Sequence, residues 1–315
     1  MNEDFPFSGN SSVKALRGRK NAVRDDKPYG WLVEKERMPS GQNEEVGIVF
    51  LTNRECPFGC IYCDLWKNTT DHTVSAGAII KQLEFALGKL QGVRHIKLYN
   101  SGSFFDRSAI PPEAYMAIAS LLDQFETVIV ECHPVLVGRE IISFSEMLKG
   151  SLVVAMGLET VSPEILPRLN KKMSLSDFSA AAAFLHRHNI NTRAFILLRP
   201  PLMTEEEGIY WAKKSIDFAF ECGTECCTVI PVRGGNGAME LLSKKGLFHP
   251  PSVQSLEKVL EYGISLGKGR VFADTWDIEL FYTCKTCDEK RKQRIEYMNA
   301  CHLIPPAVIC DHCHG

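Results

Sequence analysis

Between residues 47 and 232, six short apolar runs alternate with segments whose apolar residues recur at helical spacing. The runs cover residues 47–52, 95–100, 127–132, 152–158, 194–198 and 227–232. Between them, residues 76–90, 112–124, 141–149, 175–188 and 205–222 repeat with the period of a helix face. Strands that are apolar on both faces, each followed by a helix, are the mark of parallel βα units. The pattern predicts an α/β fold and leaves open whether the sheet curls into a barrel or is doubly wound. Residues 252–268 read as a further helix and 270–276 as an edge strand. Residues 1–44 are polar and punctuated by Gly, Ser and Pro, so they read as an arm. Three regions result: an arm at 1–44, an α/β body at 45–270, and a cysteine-rich segment at 271–315.

Composition narrows the function classes. The 315 residues are 45% hydrophobic, enough for one large core with a small appendage. The first ten residues are acidic and lack an apolar stretch, so no secretory signal is expected. No run approaches the length needed to span a bilayer, so no membrane partner is expected. Twelve cysteines without such a signal point to a reducing compartment, the cytoplasm, and to metal ligation rather than disulfides. A net charge of −2 does not announce a nucleic-acid binder. Basic residues do cluster at Lys14, Arg17, Arg19, Lys20 and Arg24, and again at Lys285, Lys290, Arg291, Lys292 and Arg294. Two solvated faces are the expectation, and a phosphate backbone is the sharper alternative.

Cys56, Cys60 and Cys63 follow the first apolar run with spacing C-x3-C-x2-C. Three thiolates on one tight loop suit a cubane iron–sulfur cluster and leave its fourth iron open to another molecule. Zinc would ask for a fourth protein ligand. With Tyr62 just before the third cysteine, the stretch resembles the signature of the radical S-adenosylmethionine (SAM) superfamily. That resemblance implies a partial (β/α)6 barrel, a [4Fe–4S] cluster whose open iron holds SAM, and an electron donor of flavodoxin or ferredoxin type. It also implies reductive cleavage of SAM to a 5′-deoxyadenosyl radical.

Ligands of parallel α/β folds gather at the carboxyl ends of the strands. Ser101-Gly102-Ser103 follow the second run, where the superfamily carries a Gly-Gly-Glu-type motif for the SAM amino group; the glutamate of that motif is missing here. Glu131 and Glu159 end the third and fourth runs. Burying such carboxylates is costly without partners. Ribose hydroxyls and an α-ammonium would serve, and so would structural ion pairs. Gly157-Leu-Glu, followed by Leu169-Asn-Lys171, resembles coproporphyrinogen oxidase of the oxygen-independent type, the methylthiotransferases and the Elongator catalytic subunit. This implies that Lys171 pairs with the SAM carboxylate, with lysine standing where arginine is usual.

Residues 100–104, 157–160, 197–201 and 246–251 are similar in detail to the archaeal radical SAM enzymes of archaeosine biosynthesis. The implied substrate is a modified nucleobase in tRNA or a related deazapurine. A small-molecule substrate and a non-catalytic iron–sulfur binding protein are the competing expectations. Arg233, in the glycine-rich stretch 231–237, is the candidate substrate contact. In the tail, Cys284-x2-Cys287 and Cys310-x2-Cys313 form a pair of knuckles that suits structural zinc or a second iron–sulfur cluster. His302, His312 and His314 are spare ligands. Cys132, Cys222, Cys226, Cys227 and Cys301 show no metal spacing and read as small buried residues.

Overall fold

The computed structural model describes residues 5–313, so His314 lies outside the described residues. Eight strands form one sheet in sequential order: β1 (Gly30–Arg37), β2 (Asn43–Phe50), β3 (His95–Tyr99), β4 (Thr127–Glu131), β5 (Ser151–Glu159), β6 (Asn191–Leu198), β7 (Cys226–Pro231) and β8 (Arg270–Ala273). β2 to β8 are parallel, and β1 lies antiparallel on β2. The sheet curls into a half-barrel, which decides the point that the alternation left open.

Helices α1 (Asn10–Lys14), α2 (Ala76–Leu87), α3 (Tyr115–Leu121), α4 (Arg139–Met147) and α5 (Ile165–Arg168) come first along the chain. They are followed by α6 (Leu175–Arg187), α7 (Glu205–Glu221), α8 (Ala238–Lys244), α9 (Val253–Ser265) and α10 (Asp288–Cys301). Helix starts are capped as their sequences ask: Ser174 with Asp177, and Thr204 with Glu207, form reciprocal capping boxes. Alternation along the strands divides the side chains. Leu98, Ala194, Ile196 and Val229 join the core beneath the helices. Lys97, Tyr99, Arg193 and Phe195 face the barrel interior.

Besides the short helices α1, α5 and α8, two longer elements lie where no regular structure was expected. β1 falls inside the polar stretch at 1–44. Its alternation is inverted, with Glu34 and Glu36 lining the interior while Trp31 and Val33 are exposed. A strand that turns carboxylates inward carries no apolar signal. Its partners come from distant strands. Arg193 Nη1 donates to Glu36 at 3.0 Å, Lys97 Nζ at 2.5 Å, and Arg270 Nη1 donates to the Arg37 carbonyl at 3.0 Å. Burial opposes the Glu36 charge, but Arg193 and Lys97 outweigh it and hold its carboxyl well below the usual range. This buried network floors the barrel.

The second element is α10, in the cysteine-rich segment. It runs beside the free edge of β8. Asn299 donates to the Ala273 carbonyl and accepts from its N–H, both at 2.9 Å, and His302 Nε2 accepts from Val271 N at 3.1 Å. Side chains of one helix thus satisfy an edge that would otherwise be open. His302 is thereby occupied away from the tail cysteines.

Candidate functional site

A cavity of about 1080 Å³ opens at the carboxyl ends of the strands and runs down to the charged floor. Cys56, Cys60, Cys63, Tyr62, Ser101, Gly102, Ser103, Glu131, Glu159, Lys171 and Arg233 all line it. The fold therefore brings residues spread over 178 positions of sequence into one space.

The three-cysteine loop is braced by asparagine side chains. Asn10 Nδ2 donates to the Pro57 carbonyl at 3.1 Å, and Asn170 Nδ2 to that of Gly59 at 2.6 Å. Asn236 Nδ2 donates to the carbonyls of Ile61 and Cys63 at 2.7 and 3.2 Å. A fixed loop holds its sulfurs in place before any ligand arrives. Burial pushes the Cys56 thiol up to about 11 and raises Cys60 and Cys63 as well. Thiolates there need a cation, which a metal cluster supplies. A Cβ on Gly102 would sit 3.2 Å from Cys56 Cβ, so glycine lets the β3 loop close on the cysteine loop.

Beside the cysteine loop, β5 ends in a bulge at Gly157 and Glu159, with Glu159 at φ +67°. The bulge turns Glu159 inward, where its Oε1 lies 2.6 Å from Lys171 Nζ. Burial and the neighbouring thiols and Glu159 push the Tyr62 hydroxyl up. Burial alone would lower the Lys171 ammonium, but Glu159 outweighs it and the pKa is raised. Glu131 Oε2 accepts from Asn100 N at 3.1 Å, and desolvation pushes its carboxyl up to about 7. Ser101 Oγ lies 3.0 Å from the Tyr29 hydroxyl, while Ser103 Oγ accepts from His133 N at 2.8 Å. His133 stacks on Phe58 with centroids 3.9 Å apart, and burial lowers its imidazole to about 4, so the ring is neutral.

Several of these residues carry no sequence signal of their own. Asn170 sits inside the Leu-Asn-Lys stretch, hidden beside the charged Lys171. Asn236 falls in the glycine-rich stretch where Arg233 drew the attention. Arg233 is engaged by Asp277 Oδ2 at 2.9 Å and by Asp274 Oδ2 at 3.5 Å. Of the N-terminal basic residues, Arg19 and Arg24 are exposed, whereas Lys14, Arg17 and Lys20 converge on Glu55 at 2.7, 2.6 and 2.9 Å, beside Cys56. In the tail, Arg291 and Arg294 are buried against Glu257.

The four tail sulfurs of Cys284, Cys287, Cys310 and Cys313 lie within 4.8 Å of one another, with Cys284–Cys310 at 3.8 Å and Cys287–Cys313 at 3.4 Å. A tetrahedral zinc with Zn–S of about 2.3 Å sets its thiolates roughly 3.8 Å apart. A cubane puts each thiolate on a different iron and so spreads them wider. Of the other cysteines, Cys132, Cys226 and Cys227 are buried, and Cys222 and Cys301 half-buried. No helix among the described residues is long and apolar enough to cross a membrane.

The family model of the radical SAM superfamily matches residues 50–210. An uncharacterized protein of Methanocaldococcus jannaschii is 26% identical, over 94% of this chain and 88% of its own length. The archaeosine synthase subunit beta of Thermococcus kodakarensis is 29% identical over 58% of this chain and 59% of its own, so the match spans about three fifths of that relative. Among solved structures, the archaeal Elp3 of Methanocaldococcus infernus, lacking its N-terminus, is similar in fold. Its TM-score is 0.52, with 16% identity over 70% of this chain and 59% of that one.

Proposed function

Because the chain belongs to the radical SAM superfamily, we propose that it is an enzyme that binds a [4Fe–4S] cluster and SAM in its cavity and acts on a modified nucleobase in tRNA or a related deazapurine. The observation that carries this reading is the convergence of the braced cysteine loop and the Glu159–Lys171 pair on one cavity. Cys56, Cys60 and Cys63 hold the cluster. When bound, the cluster and SAM together supply reductive cleavage of a carbon–sulfur bond and a radical that attacks the substrate.

The protein residues hold and orient. Glu159 and Lys171 present one negative and one positive group from a buried pair, matching the ammonium and carboxylate of a zwitterion. Ser101, Gly102 and Ser103 offer acceptors and close backbone approach to the ammonium. Glu131 accepts from ribose hydroxyls. Tyr62 and Phe58 cover the loop and keep water from it. The four tail thiols hold one zinc, which the sulfur spacing supports. The nucleobase is supported by the likeness to archaeosine synthase subunit beta. An external reductant of flavodoxin or ferredoxin type supplies the electron.

The test is anaerobic reconstitution with iron and sulfide, followed by dithionite and SAM. Formation of 5′-deoxyadenosine supports the reading. A reduced cluster that never cleaves SAM, even with deazapurine-modified tRNA present, refutes the enzyme and favours an iron–sulfur binding protein. Rate enhancement by that tRNA, and by no small deazapurine, identifies the form of the substrate.

A further inference from the structure

Opposite the Glu159–Lys171 pair, the wall of the cavity is built by residues that follow β7 and β8. Asp274 N donates to the Val229 carbonyl at 2.8 Å, which fixes Asp274 at the carboxyl end of β8. Its Oδ1 accepts from Trp276 N at 3.0 Å. Its Oδ2 has Arg233 Nη2 only at 3.5 Å, because that guanidinium is drawn to Asp277 at 2.9 Å. Desolvation raises the Asp274 carboxyl above its ordinary value, while its side chain stays 28% exposed on the cavity side of these contacts. Two carboxylates face one guanidinium, so the wall is net negative and disfavours an anion. Trp276 lines the same rim 54% exposed, with its ring edge-on to Phe50 at 6.4 Å. A large aromatic face left open over a cavity is a stacking platform.

We propose that Asp274 and Trp276 form the base-reading wall: the ring of a purine-type base lies on Trp276, and its adjacent ring N–H and exocyclic amino group donate to the Asp274 carboxylate. This rests on the nucleobase reading and adds the edge that is read. A base carrying this donor pair, as in guanine and its 7-deaza relatives, satisfies the carboxylate. Hypoxanthine lacks the amino group, and adenine presents an unprotonated ring nitrogen there.

Equilibrium dialysis of the reconstituted, SAM-loaded protein against guanosine, inosine and adenosine tests the proposal. Guanosine should bind at least 10-fold more tightly than the other two, the loss expected for one hydrogen bond to a charged group. Asp274→Asn should collapse that ratio towards one. Trp276→Ala, a change at an exposed position, should weaken all three nucleosides. Equal binding of guanosine and inosine, no binding of any nucleoside, or an unchanged ratio in Asp274→Asn would each overturn the proposal. A short guanine-containing RNA that binds more tightly than guanosine assigns the wall to a base within RNA; equal or weaker binding assigns it to a free base or nucleoside. Wild-type 5′-deoxyadenosine formation is read separately, so failure of the radical SAM reading and failure of the base-reading wall remain distinct.

Discussion

Lys171 Nζ sits 2.6 Å from Glu159 Oε1 directly over Gly157, so any side chain at 157 would have to push the tips of both residues aside. A Cβ at position 157 would lie 1.9 Å from that oxygen and 2.4 Å from the ammonium. The strand bulge, the glycine and the ion pair are therefore one device.

Gly157→Ala should split the pair. Removing one partner of a buried ion pair costs about 3–5 kcal/mol; Gly157→Ala displaces only the flexible tips of the two side chains, so denaturant unfolding of the cluster-free protein should show a smaller loss. The reconstituted variant should bind SAM roughly 10- to 150-fold more weakly, the equivalent of one charge-assisted hydrogen bond. Normal stability with normal SAM affinity would remove the pair from the site.

The asparagine braces should govern cluster occupancy. Replacing Cys56, Cys60 and Cys63 together by Ala should abolish the SAM-perturbed paramagnetic signal of the reduced protein. Asn236→Ala should reduce cluster content after reconstitution without abolishing it, because Asn10 and Asn170 still hold the loop. Iron and sulfide counts on the three proteins decide the order.

Glu131 gives a pH signature. Its carboxyl is raised from 4.5 to about 7 by desolvation. Between those values the folded protein keeps a proton that the unfolded chain has lost, so this group's contribution to stability falls as pH rises through that window. Above about pH 7 it is constant. Glu131→Gln should flatten this part of the stability profile of the cluster-free protein and stabilise it at pH 8. A profile that the substitution leaves unchanged would show that Glu131 is not desolvated.

Metal in the tail should control the β8 edge. Cys310→Ser removes one of four thiols, and the zinc content of the protein should drop. With α10 loosened, the amides of Val271 and Ala273, which bond His302 and Asn299, should exchange with deuterium faster. The amides of β4, in the middle of the sheet, should keep their protection. If iron and sulfide are retained in the Cys56, Cys60 and Cys63 variant, the tail holds a cluster instead of zinc.

Local pattern made much of this protein readable. Apolar runs and helix-period segments place seven of the eight strands and six of the helices between them to within a few residues, since each buried face repeats at its own period. The cysteine spacings are equally legible, because thiols at short spacing need no distant partner to be recognised. β1 escaped because its inner face is charged. α10 has no apolar stripe to betray it and is held by ion pairs to Glu257 and Glu261.

By itself, the sequence determined the βα alternation, the three-thiol loop and the tail knuckles, all of which depend on residues near one another in the chain. The family resemblance already implied the curled sheet, which the structure bears out; only the tertiary structure decided that β1 is floored by Arg193 and Lys97. It also decided that Glu159 meets Lys171 before any ligand does, and that Asp274 lines the cavity beside Trp276. The reason is physical. The state of a buried charge depends on what stands within a few ångströms of it, and in this fold those neighbours come from strands far apart in sequence.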